Sequence, residues 1–153
     1  MNPFAKLNEV YSFLYTKFSE LEVKNSRNIK VKIAMQPQEF STNICPQFIF
    51  MKESGSSPQI EADQLLLRLP KSFSFSLRAI DYSMSSLTKA DIETEAILSA
   101  YLEHLGALIK EEGYIRERIK DTEISGITWD FEGKEGAWYS APVAVFSFKL
   151  KGG

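Results

Sequence analysis

One cysteine and one histidine stand among 153 residues, and that scarcity removes several kinds of chemistry before any pattern is sought. Cys45 alone cannot close an internal disulfide, which implies a reducing, cytoplasmic setting. A Cys–His nucleophile pair could draw only on Cys45 and His104, and Cys45 lies in a loop before Pro46 with no flanking nucleophile motif. His104 has Tyr101 and Leu108 at its i−3 and i+4 positions. Both helical metal spacings are therefore incomplete, and a surface histidine is expected. No metal and no cofactor is expected. No apolar run approaches the ~20 residues that span a bilayer, so no membrane partner is expected. Lys6, Asn8 and Glu9 interrupt the basic-then-apolar order of a signal peptide. Eighteen basic against twenty acidic residues leave a net charge of −2, without a basic stripe, which argues against general nucleic-acid binding, and no sequence-specific nucleic-acid partner is expected. P-loop, G-x-G-x-x-G and G-x-S-x-G motifs are missing too. Gly133 and Gly136 fall in a hairpin turn, not between a strand and a helix, so they make no phosphate cradle.

What remains is ordinary globular material, 44% hydrophobic and 25% charged, enough for one domain over residues 1–153 with its own core. The clearest element is a helix from about Thr88 to Glu112. Thr88 with Asp91 makes a T-x-x-D capping box, and Ile97, Tyr101, Leu105, Leu108 and Ile109 form an apolar stripe. Lys110 suits the negative end of the helix dipole, and Gly113 can turn left-handed just beyond.

A second helix opens at Asn2-Pro3. Phe4, Leu7, Tyr11, Leu14, Phe18 and Leu21 share one of its faces, opposite Lys6, Glu9, Lys17 and Glu20. With only two to three heptads, the stripe predicts a helix lying on a sheet rather than a coiled coil. Strands are predicted over Ile29–Met35 and Phe48–Met51, flanking a loop from Gln36 to Pro46. Ser54 to Pro58 reads as a turn, and Leu65 to Leu69 as either a strand or a buried turn. Phe73, Phe75, Leu77 and Ala79 then alternate with Ser74, Ser76 and Arg78. That second face is either solvated or pressed against another subunit.

After the long helix, Tyr114 to Ile119 predicts a strand or an irregular edge. Ile124 to Phe131 predicts a strand with a bulge at Gly126 and with Ile127, Trp129 and Phe131 on its buried side. Gly133 to Gly136 supplies a several-residue loop into a last strand, in which Ala144, Phe146, Phe148 and Leu150 alternate with Val145, Ser147 and Lys149. The expected fold class is α+β, a largely antiparallel β-sheet with two main helices packed against it.

Asp91, Glu93 and Glu95 fall in the opening turns of the long helix, where carboxylates stabilise the dipole. An enzyme would have to draw an acid–base pair from residues such as Glu111, Glu112, Asp130 and Glu132. Trp138 and Tyr139 beside Pro142 read equally as a contact surface or as a lid over the core.

The succession of elements resembles the tail terminator, or tail completion, proteins of long-tailed bacteriophages. It is carried by the amphipathic helix Pro3–Leu21, the segment Cys45-Pro46-Gln47-Phe48-Ile49-Phe50, the strand Ser72–Asp81 leading into the helix from Thr88, and the closing strand Ala141–Leu150. The resemblance implies a non-enzymatic virion component, assembled in the host bacterial cytoplasm. It would form a homo-oligomeric ring of six at the head-proximal end of the tail tube, with the tube protein and the head–tail connector as partners. Phe40, Arg78, Lys134, Trp138 and Tyr139 are the residues expected to make such contacts. The alternatives are another neck, baseplate or contractile-injection adaptor, a small α+β enzyme, and a cytoplasmic binding or immunity-type module.

Overall fold

The computed structural model describes residues 3–36, 38–53 and 72–151. Among the described residues three α-helices, α1 (Pro3–Glu20), α2 (Leu87–Glu111) and α3 (Gly113–Arg116), and a 3-10 turn at Thr42–Ile44 accompany six strands. The strands are β1 (Lys32–Ala34), β2 (Gln47–Lys52), β3 (Ser72–Ser83), β4 (Ile119–Ile124), β5 (Thr128–Lys134) and β6 (Ala137–Leu150). They form one sheet in the order β1-β2-β3-β6-β4, with β5 also on β6. Only β1 and β2 run parallel. The class is α+β, with a mostly antiparallel sheet and its helices packed against one face.

The 14-residue β6 is the spine. Along one edge it pairs with β3, from Ser72↔Lys149 to Ser83↔Trp138. Along the other it holds β4 beside its second half and β5 beside its first. Strand alternation sends Phe75, Leu77 and Ala79 from β3, and Ala144, Phe146 and Phe148 from β6, towards the helices, all of them buried. Aromatic rings dominate this core. Phe18 of α1 meets Phe48, Phe50 and Tyr101 at centroid distances of 5.4, 5.0 and 5.7 Å. Tyr101 of α2 stacks on Phe48 at 3.7 Å, and the Tyr11 hydroxyl donates to the Phe50 carbonyl.

Several expected boundaries move. Ser86, not Thr88, caps α2: it is extended (φ −163°, ψ 156°) and its hydroxyl accepts from the Lys89 N–H. Lys89 lies three residues after that cap, so no capping box forms. Asp91 instead accepts a hydrogen bond from the Ser140 hydroxyl, tying the helix start to β6. Gly113 opens α3 instead of taking a left-handed turn, and Tyr114 to Arg116 continue as helix. The predicted strand over Ile29–Met35 shrinks to Lys32–Ala34. Residues 29–31 are held by the preceding segment, Asn25 N–H to Ile29 O and Val31 N–H to Val23 O, and Ile29 and Met35 stay exposed. Ile124 ends β4 instead of beginning β5, and the register shift falls between Lys120 and Glu123 rather than at Gly126. His104 is half-buried against the Phe18 ring rather than free on the surface. The Asn2 cap, Pro37, and the readings of Ser54–Pro58 and Leu65–Leu69 lie outside the described residues.

Candidate assembly surface

The β5–β6 connection is tighter than a several-residue loop. Glu135 (φ 53°) and Gly136 (φ 80°) are the two central residues of a hairpin turn, both left-handed as a type I′ turn demands. This fixes a register of Trp129↔Pro142, Phe131↔Ser140 and Gly133↔Trp138. Trp129, Phe131 and Trp138 therefore share the helical face of the hairpin. Gly133 is needed there for space, since a Cβ would sit 3.0 Å from the Trp138 ring.

These three rings were expected inside, in the case of Trp129 and Phe131. They are instead exposed by 50%, 60% and 43% for Trp129, Phe131 and Trp138. The reason is a shortage of cover. A packed helix is about 10 Å wide and strands are about 4.8 Å apart, so two main helices shield about four strands. Helix α2 reaches the first half of β6 through its opening turns, where Thr94 donates to Ser140. The column occupied by β5 lies beyond that reach, and Ile127 is exposed with it.

The opposite face, the loop face, carries a second cluster. Cys45, Ile49, Ile80, Ala137, Tyr139 and Ala141 pack together there, with Phe40 and Ile44 of the 38–46 loop laid over them. Phe40 stacks on Tyr139 at 5.6 Å, and the Lys134 ammonium donates to the Phe40 carbonyl at 3.2 Å. Three of the five expected contact residues thus meet, but on one another. They fasten the loop to the hairpin, and Tyr139, 2% exposed, presents no surface to a partner. Arg78 lies on the same face, 3.8 Å from Asp130, beside a shallow groove lined by Ile49, Met51, Val143 and Val145. Trp138 alone of the five is broadly exposed.

One buried charge lies away from this surface. Asp81 accepts hydrogen bonds from Asn25 (3.0 Å), the Arg27 guanidinium (2.6 Å) and the Tyr82 N–H (2.8 Å). Its burial pushes the carboxyl above the usual carboxylate range despite these donors. The cluster fastens the 25–28 turn to β3, and the Arg27 guanidinium sits over the Tyr82 ring, 4.3 Å from its centroid.

The candidate nucleophile, metal and acid–base residues read from the sequence do not converge. Among the described residues no three His, Cys, Asp or Glu side chains converge on a metal-sized space. Cys45 lies in the loop-face cluster and His104 on a helix across the sheet. Asp130 and Glu132 pair beside Ala141 and Tyr139, whereas the end of α2 bearing Glu111 and Glu112 leads through α3 to β4 beside Leu150. Eleven strand residues at about 3.3 Å each put those two ends of β6 roughly 35 Å apart. Burial pushes the Cys45 thiol up to about 12. Native protein at pH 8 should therefore resist iodoacetamide, and Cys45 should alkylate only on denaturation; rapid labelling of folded protein would contradict its burial.

Compared with protein-family models and with curated proteins, the chain finds no match. Among the described residues no helix is long and apolar enough to cross a membrane.

Proposed function

We propose that this protein is a structural virion subunit that closes the head-proximal end of a phage tail tube as a homo-oligomeric ring of six. It would end tube polymerisation and offer the docking surface for the head–tail connector, catalysing nothing itself. The observation that carries this reading is the row of exposed aromatics, Trp129 and Phe131 of β5 with Trp138 of the neighbouring β6, beside the outer edge of β5, which is unpaired among the described residues. A lone domain gains nothing by holding three large rings in water beside an open strand edge; a subunit that buries them against a neighbour does. The order of elements that resembles the tail terminators supports the more specific role. Assembly proteins also need rigid scaffolds, and the long β3–β6 ladder supplies one.

The deciding experiment deletes the gene from its phage and images the tails. Overlong tubes, or tails unable to join filled heads, are the expected result. Tubes of normal, uniform length joined to filled heads would overturn the reading.

A further inference from the structure

The sheet ends in two edges of complementary character. At one, β5 presents Trp129 and Phe131 on the helical face, with Asp130 and Glu132 on the loop face. At the other, a groove of about 530 Å³ runs beside β1, walled by Phe18, Leu21, Ile29, Val31, Ile33 and Tyr101 together with Ser19, Lys30 and Lys32. That groove opens on the helical face, because Ile33 lies in register with Phe48 and Ala79 of the helix-covered core. Lys32 lies in register with Gln47 and Ile80 and so belongs to the loop face; Lys30 lies just before β1, in an isolated antiparallel bridge to Lys24. Neither lysine meets a carboxylate among the described residues; Lys32 reaches only the Asn43 carbonyl, at 3.2 Å.

We propose that the β5 edge of one copy docks into the β1 groove of the next, head to tail. Trp129 and Phe131 fill the apolar groove while Asp130 and Glu132 meet Lys30 and Lys32. When the two sheets are continuous, Trp129 and Phe131 fall on the face of Ile33, and Asp130 and Glu132 on the face of Lys32, with Lys30 at the groove wall beside it. A two-fold pairing of β5 with its own copy is disfavoured. Antiparallel alignment about Phe131 would set Asp130 of each copy opposite Glu132 of the other, and like charges across a strand pair repel. The backbone edge of residues 29–31 is already engaged by Val23 and Asn25, so side chains carry the joint more than a continued ladder does. A contact between two different patches generates either a closed ring or a filament. The joint rests on the capping reading only for its closure into a ring.

Sedimentation velocity on the purified full chain, up to millimolar concentration, tests the joint. Wild type should assemble beyond the monomer. Asp130→Lys/Glu132→Lys and Lys30→Glu/Lys32→Glu should each raise the midpoint concentration about tenfold or more, and an equimolar mixture of the two should restore assembly, since their reversed charges complement each other. Trp129→Ser/Phe131→Ser should weaken assembly without changing charge, and decides the matter if a charge variant loses its native far-UV spectrum. A wild type that stays monomeric throughout, variants that assemble like wild type, or well-folded charge variants whose mixture stays apart would each overturn the joint. Failure there is separable from failure of the capping reading, which stands or falls on the tail images alone.

Discussion

Truncating Phe148 to alanine is expected to lower the free energy of unfolding by about 3–5 kcal/mol. The ring is 2% exposed and packs against Phe75 at 5.0 Å, Phe146 at 5.3 Å and Phe73 at 6.4 Å. Those neighbours belong to the two central strands, whose backbones are fixed by the ladder and cannot collapse into the vacated space. The loss should therefore contain the cavity contribution as well as the transfer of the ring from water, itself worth roughly 1.5–3 kcal/mol. Urea denaturation followed by circular dichroism measures it. A loss under about 1 kcal/mol would contradict the packing, being the size of an ordinary surface effect. Lys149→Ser on the loop face is the matched control: the side chain is exposed, its ion pair with Asp121 spans 3.7 Å, and little change is expected.

The second large effect is expected at Arg27→Ala, with a loss of about 3 kcal/mol. Removing the guanidinium leaves the fully buried Asp81 carboxylate with only Asn25 and the Tyr82 N–H. An uncompensated buried charge costs about 3–5 kcal/mol; the Arg27 side chain is 35% exposed, so water entering from that side holds the figure to the low end. The pH dependence has a definite sign. Burial raises the folded-state pKa of Asp81 above its ordinary 3.8, so the folded protein binds the proton more tightly than the unfolded chain. This contribution to stability is fully present below 3.8 and is lost as pH rises through the folded pKa. Wild type should therefore gain on Asp81→Asn as pH falls from neutrality towards 3.8. Parallel stability curves for the two proteins across that window would contradict the assignment.

Periodicity exposed much of this fold because so much of it is two-sided. The stripe from Leu7 to Phe18 and the alternations of Phe73–Ala79 and Ala144–Leu150 each record one buried face, and each element lies where its pattern points. Trp129 and Phe131 show the limit of that reasoning. Alternation says that Ile127, Trp129 and Phe131 share a face, not that anything covers it. Cover depends on how many helices are available for how many strands, and two main helices against five side-by-side positions leaves one strand bare. That count was present in the sequence, and it is the signal that could have marked these aromatics as surface. Tyr139 went the other way for a similar reason. Its partner in burial is Phe40, nearly a hundred residues earlier in a loop without periodicity, and the cis Cys45–Pro46 bond lies in the same loop. Asp81 carried no sequence signal either, since its donors come from the 25–28 turn and only the folded chain brings them together.

The position of β6 has a consequence for how the chain comes to be folded. It is the last strand to be synthesised among those described, yet it pairs with β3, β4 and β5, and its bonds to β3 join residues up to 77 positions apart, as in Ser72↔Lys149. Until residues 137–150 leave the ribosome, β3 has a neighbour on one side only, and Phe75 and Leu77 lie beside an open flank. At about 5–20 residues per second that interval lasts several seconds. Such distant pairing also demands an entropic cost in loop closure before any contact repays it, which places this domain among slow folders. A sheet built only from successive hairpins would leave no such flank waiting, because each strand would find its neighbour as soon as it was made.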